Sequence, residues 1–349
     1  MDTLNTLPPA TPGFDWALFR RDVRRDVRNC VLFLFFYYAV SMLVTAIIIA
    51  AKMLQDQLFL DALSNPAFMA AMLAGEPWAM EEFGGALNRV MQNANVAGLI
   101  SIAGIIIGSC VFLLWRKRRF VTDIAMPAAE PMTAKIFLIL IVITQAFQCV
   151  YGLLVQLIDS LMPGGLSMEE SYDSAMSGLI SPVGLVYVVL IGPIFEELIF
   201  RGAILGALRK FGNNFAIIFS SILFGFYHMI VLQIPFAFVL GLILGYVAVR
   251  WSLRASIALH IVVNGLSTLF TSASGDLAMG LIGLAMILCV IAAIVMARVW
   301  RKQLAERVRA GAAYYARTYE NGFASIAFWV FIFVMSTLGF FQMALMSGV

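Results

Sequence analysis

The sequence predicts an all-α protein, a polytopic transmembrane helical bundle of about 8–9 spans. Three observations carry this reading. Of the 349 residues, 62% are hydrophobic and 12% charged, against roughly 25% charged in ordinary soluble domains. The apolar residues come in long runs, and about 20 of them suffice for a bilayer-spanning helix. The charges between the runs alternate in sign from one connection to the next.

Residues 1–29 form a polar, Arg-rich segment containing "FRRDVRRDVRN", with Pro8, Pro9 and Pro12 upstream. No short apolar stretch with a small-residue cleavage site opens the chain, so a cleaved signal peptide is not expected. Spans follow at 30–51 and 94–115. The connection between them is acidic (Asp56, Asp61, Glu76, Glu81, Glu82), and "RKRR" at 116–119 follows the second. These two helices and their extracytoplasmic loop make up a unit over 30–134. Further spans are read at 135–159, 179–208, 214–232, 234–250, 255–274 and 277–299. An acidic connection (Glu169, Glu170, Asp173) precedes 179–208. Basic residues close the other ends: Arg209 with Lys210, Arg250 with Arg254, and Arg298, Arg301 and Lys302. Residues 301–349 hold a basic stretch predicted as an amphipathic surface helix and a last span at 322–347. Excess Lys and Arg mark the cytoplasmic side, which puts the N-terminus in the cytoplasm. Cys30, Cys110, Cys149 and Cys289 are isolated and read as small core residues. Gly104 with Gly108 and Gly241 with Gly245 have the spacing that lets membrane helices approach closely. No long internal repeat is visible, which leaves an inverted-repeat transporter without sequence support.

Charged groups inside a bilayer cost roughly 2.5–3.5 kcal/mol each on insertion scales and mark candidate sites. The polar candidates here are Glu196, Glu197 and Arg201 in "EELIFR", His228 in "FGFYH", and His260 with the neutral Asn264 in "HIVVN". Both histidines of the chain are among them. Glu197 and Arg201 are four residues apart on one helical face and can pair. Glu196 is rotated by about 100° and left available as a base. His260 and Asn264 share the same spacing, and an imidazole beside a carboxamide can polarise a carbonyl. Phe224, one turn before His228, can wall the same cavity. Gly192–Pro193 predicts a kink that makes room for water beside Glu196. Counted at 1.5 Å per residue, Glu196 and His228 lie about 20 Å from the basic side and His260 about 9 Å. Either "WSLRAS" dips into the bilayer or the site slopes. On chemistry alone an enzyme and a proton-coupled transporter both fit.

The order EExxxR, FxxxH, HxxxN resembles the CPBP (CAAX protease and bacteriocin-processing, Abi) membrane proteases, which include the type II CAAX prenyl proteases. The resemblance covers roughly 135–300. It implies an intramembrane endopeptidase in which Glu196 and His228 activate water, His260 and Asn264 stabilise the oxyanion, and Glu197, Arg201 and Phe224 support them. Metal-dependent and metal-free mechanisms are both argued for such proteins. A zinc ion would fall to Glu196, His228 and His260, although no HExxH helix is present. The implied partners are a peptide or protein substrate, lipidated or not, and membrane lipids, with no nucleic acid. The implied location is a bacterial plasma membrane. Bacteriocin immunity or membrane scaffolding without proteolysis is the alternative.

Overall fold

The computed structural model describes residues 15–119, 122, 130–161, 167–177, 179–272 and 275–346. Among these it is a bundle of helices without strands. The prolines read near the N-terminus, and residues 1–14 generally, lie outside the described range. The helices are α1 (Trp16–Met53), α2 (Gln57–Ser64), α3 (Pro66–Ala74), α4 (Pro77–Met91), α5 (Ala94–Arg116), α6 (Ala134–Leu161) and α7 (Met168–Ser177). The composite helix α8 (Pro182–Phe211) is followed by α9 (Asn213–Tyr227), α10 (Gln233–Arg250), α11 (Leu253–Ser272), α12 (Asp276–Phe323) and α13 (Ile326–Met346).

Eight of these helices are long and apolar enough to cross a membrane, and α9 is a shorter apolar helix. The span expected at 214–232 therefore stops early. Its helix ends at Tyr227, and α10 starts again at Gln233. At 1.5 Å per residue α9 rises only about 22 Å, so the turn at 228–232 falls within the depth of the bilayer. The expected basic helix after 301 is also different. It continues from the span without a break, in a single 48-residue helix, α12.

The Arg-rich segment is already helical. Asp15 caps α1 through bonds of 2.9 Å from the Ala17 and Leu18 amides. Val23, Val27, Cys30, Val31, Leu34 and Tyr37 then form its buried stripe. Cys30 is the core residue expected, whereas Cys110 is exposed and Cys149 and Cys289 are half-buried. The connection between α1 and α5 is not a plain loop. Helices α2, α3 and α4 bury Phe59, Phe68, Ala79 and Ala86 in a small core of their own. Asp56 caps α2 and pairs with Arg89 on α4 at 2.7 Å, which holds the Asp56 carboxyl below the usual carboxylate range.

The main core joins α1, α5, α8, α9 and α13, and a second core joins α6, α10 and α11. Both glycine pairs sit at close helix crossings. A Cβ on Gly108 would lie 2.8 Å from the Tyr37 ring, and one on Gly241 would lie 3.0 Å from Ser221. The basic ends come together at one end of the bundle: Lys210 pairs with Asp26 at 2.7 Å, and Arg24 reaches Asn321 at 3.4 Å.

Candidate active site

Helix α8 places the two glutamates, and it is not a simple α-helix. Ser181 caps it and Pro182 occupies its first turn. Residues Tyr187–Ile191 and Leu198–Ile204 are π-helical, and the α-helical piece Gly192–Glu197 lies between them. Such wide turns are frequent at functional sites. The kink expected at Gly192–Pro193 is thus absorbed as a widened turn. The Gly192 amide bonds to the carbonyl of Tyr187, five residues back. The next bond in that register would run from residue 193 to the Val188 carbonyl, but proline has no N–H to give. The Asn264 side chain takes its place, donating from Nδ2 to the Val188 oxygen at 3.0 Å.

The pairing read from spacing is present. Arg201 Nη1 lies 3.0 Å from Glu197 Oε1, with both side chains fully buried. The contact is an ion pair rather than an aligned hydrogen bond. Arg201 Nη2 also donates to the Gly241 carbonyl at 3.3 Å, and the guanidinium sits 4.3 Å over the Phe224 ring. Glu197 is held from the other side by α11. His260 Nδ1 is 3.1 Å from Glu197 Oε1, and Ser256 Oγ is 2.5 Å from Oε2. The Ser256 hydroxyl is also 2.9 Å from the Leu244 carbonyl, and its single proton serves one of the two at a time.

A carboxylate accepts and cannot donate. His260 therefore gives its Nδ1 proton to Glu197 and turns Nε2 toward Glu196, whose Oε2 is 3.7 Å away. Glu197 is engaged on both oxygens. Glu196 is buried but is held by no comparably close partner. This contact also decides the question of depth. His260 lies about 10 Å along α11 from Leu253, and Glu196 about 18 Å along α8 from Leu208. The α10–α11 turn must then sit deeper than the Arg209 end of α8. Trp251 and Leu253, in "WSLRAS", are accordingly buried.

His228 stands at the C-terminal end of α9, where Met229 follows with φ 53°. Its Nδ1 is 2.9 Å from the Phe224 carbonyl. A carbonyl only accepts, so Nδ1 carries the proton and Nε2 keeps its lone pair. Phe224 packs edge-on against both histidines, with ring centroids 4.8 Å from His228 and 5.9 Å from His260. The turn bearing His228 is clamped by three other helices. Tyr38 of α1 donates to the Tyr227 carbonyl, and Tyr151 of α6 donates to the Leu232 carbonyl at 2.7 Å. Gly339 of α13 comes so close that a Cβ there would lie 2.6 Å from the Met229 oxygen. Tyr37 and Tyr227 join hydroxyl to hydroxyl at 2.7 Å.

All seven residues singled out in the sequence belong to one neighbourhood, with Asn264 reaching it through Val188. Ser256 was not singled out, although it lies four residues before His260 and extends the same stripe. The tyrosines of α1 carried no local signal. Among the described residues, no group of three or more His, Cys, Asp or Glu side chains is arranged to hold a metal ion. Glu196, His228 and His260 are therefore not grouped to hold zinc in this arrangement, although Nε2 of each histidine is left open.

Residues 178–266 match the family model of type II CAAX prenyl endopeptidases, Rce1-like. The matched segment contains all seven residues and bears out the resemblance carried by the three motifs. At the level of the family the match supports a CAAX-type intramembrane endopeptidase, and a protease family implies a peptide or protein substrate. No curated protein and no solved structure matches the chain.

Proposed function

We propose that this protein is a glutamate-type intramembrane peptidase in which Glu196 is the general base. The observation that carries this is the division of labour between the adjacent carboxylates. Glu197 is consumed by Arg201, His260 and Ser256, which leaves Glu196 facing His260 Nε2.

In this reading a water beside Glu196 gives up a proton to it, and His228 Nε2 accepts the water's other hydrogen bond. The oxygen attacks the scissile carbonyl, so a C–O bond forms as the carbonyl π pair moves onto oxygen. His260, protonated at Nε2 as well, and the second N–H of the Asn264 amide stabilise that oxyanion. The amine then leaves with the proton held by Glu196. Loss of one such donor costs about 10²–10³ in kcat in well-studied hydrolases. Glu197 acts through His260, fixing its tautomer and orientation. The route is written without a metal, since among the described residues no three His, Cys, Asp or Glu side chains are grouped to hold one.

The substrate in this proposal is a peptide segment reaching Glu196, prenylated at a CAAX end or not, with membrane lipid around it. The basic residues collected at one end of the bundle support a cytoplasmic N-terminus, and a bacterial plasma membrane location follows from the family resemblance alone. A survey of new peptide termini in membranes, wild type against Glu196→Gln at matched expression, tests the function. Termini that require Glu196 are expected, and identical sets of termini would refute proteolysis.

A further inference from the structure

Gln145 lies on α6, outside the segment matched to the family. It is 3% exposed, and among the described residues neither its amide oxygen nor its amide nitrogen has a hydrogen-bond partner. Burying an amide with both ends unmet is costly, and nothing in the bundle's own packing requires one there.

Its position is set by two contacts. Glu130, just before α6, pairs with Arg250 just before α11. Further along, Gln148 accepts from Ser267 at 3.0 Å. The two helices therefore run in the same direction. Three residues back along each is about 4.5 Å, which brings Gln145 level with Asn264. Ile141, one turn below Gln145, packs against the cluster containing Val263. On α11, Ser256, His260, Asn264 and Ser267 follow one another at helical spacings of four, four and three residues. Gln145 thus faces the polar stripe of the site at the height of the proposed oxyanion donor.

We infer that Gln145 is a main-chain clamp for the substrate: its carboxamide pairs with one peptide group of a locally extended segment next to the bond being cut. A primary carboxamide presents a donor and an acceptor side by side, the complement of a backbone C=O and N–H. This is the hydrogen bonding by which an extended peptide adds to a sheet edge. Such a clamp reads backbone and not side chains, and it requires the substrate helix to be unwound where it enters. The inference rests on the proteolytic reading of the site and names what that site holds.

The test uses the full chain in lipid nanodiscs with Glu196→Gln, so that binding is measured without cleavage. The probe is a fluorescein-labelled, farnesylated CAAX peptide, together with a series in which each backbone amide in turn is replaced by an ester. Adding Gln145→Leu is expected to weaken binding about tenfold, the loss expected for two hydrogen bonds to a buried partner. One ester position should weaken binding when Gln145 is present and have no effect once it is replaced. Gln145→Met serves as a second, more adaptable replacement. Both variants should melt no lower than their parent, because the amide they remove is unpaired in the free protein.

Unchanged affinity with an unchanged ester profile would overturn the clamp, as would a lowered melting temperature in both variants, which would make Gln145 a structural partner. If wild type cleaves the peptide while binding ignores Gln145, the clamp fails and the protease stands. If binding depends on Gln145 while wild type cleaves nothing, the clamp stands and the catalytic reading fails.

Discussion

Asn264 carries two tasks in this structure, and a double-mutant cycle with Pro193 separates them. One N–H of its amide satisfies the Val188 carbonyl that Pro193 leaves without a backbone donor. The other is the proposed oxyanion donor. Asn264→Ala removes both. An unmet buried carbonyl costs about 1–3 kcal/mol, and loss of an oxyanion donor lowers turnover about 10²–10³-fold. The single variant should therefore melt at a lower temperature and turn over a fluorogenic peptide at least a hundredfold more slowly, again on the scale of one lost donor. Pro193→Ala returns an N–H aimed at Val188 in the register that Gly192 already follows with Tyr187. In the double variant, stability should come back, while turnover stays low. Thermal unfolding followed by tryptophan fluorescence reads the first quantity, and cleavage in nanodiscs reads the second. Recovery of turnover together with stability would refute the oxyanion role and reduce Asn264 to a carbonyl cap. Failure of Pro193→Ala to restore stability would refute the account of the widened turn.

Arg201→Met strands the Glu197 carboxylate in the core and should destabilise the fold by about 3–5 kcal/mol, measured by thermal or denaturant unfolding. A loss under 1 kcal/mol would mean that the pair is not needed for stability. Tyr38→Phe keeps the ring and frees the Tyr227 carbonyl, at a cost of about 1–3 kcal/mol. Because that bond positions His228, kcat should fall while KM changes little, and a change confined to KM would contradict this. Prolonged treatment with a strong chelator should leave peptide cleavage intact, and loss of activity restored by zinc would overturn the glutamate-type mechanism. Asp56, with its folded-state pKa lowered by Arg89, stabilises the α2–α4 cap above the ordinary Asp pKa. That contribution is lost as pH falls through the lowered folded value. Protection of the α2 amides against exchange, corrected for the intrinsic rate, should fall only in acid, and Asp56→Asn should remove the acid-dependent part.

Most of the helices were legible because a bilayer imposes a length and a composition on whatever crosses it. The pairing of Glu197 with Arg201 was legible for a similar reason, since a separation of four residues is a property of the helix itself. One exception among the helices is instructive. The run 214–232 is apolar apart from Asn214, Ser220, Ser221 and His228, and nothing local says that its helix ends at Tyr227. The stop is made by Tyr38, Tyr151 and Gly339, from helices far away in the chain.

The sequence by itself therefore determined that this is a membrane bundle, which polar side chains lie inside it, and which of the two carboxylates pairs with Arg201. Only the tertiary structure decided that Ser256 and His260 complete the cage around Glu197, that the "WSLRAS" turn sinks until His260 meets Glu196, and that Asn264 substitutes for the amide missing at Pro193. It also decided that Gln145, from outside the matched segment, faces the same stripe. Helical spacing is written in the local chain. The axial register between one membrane helix and another is set by side chains interlocking across the interface, and no single segment records it.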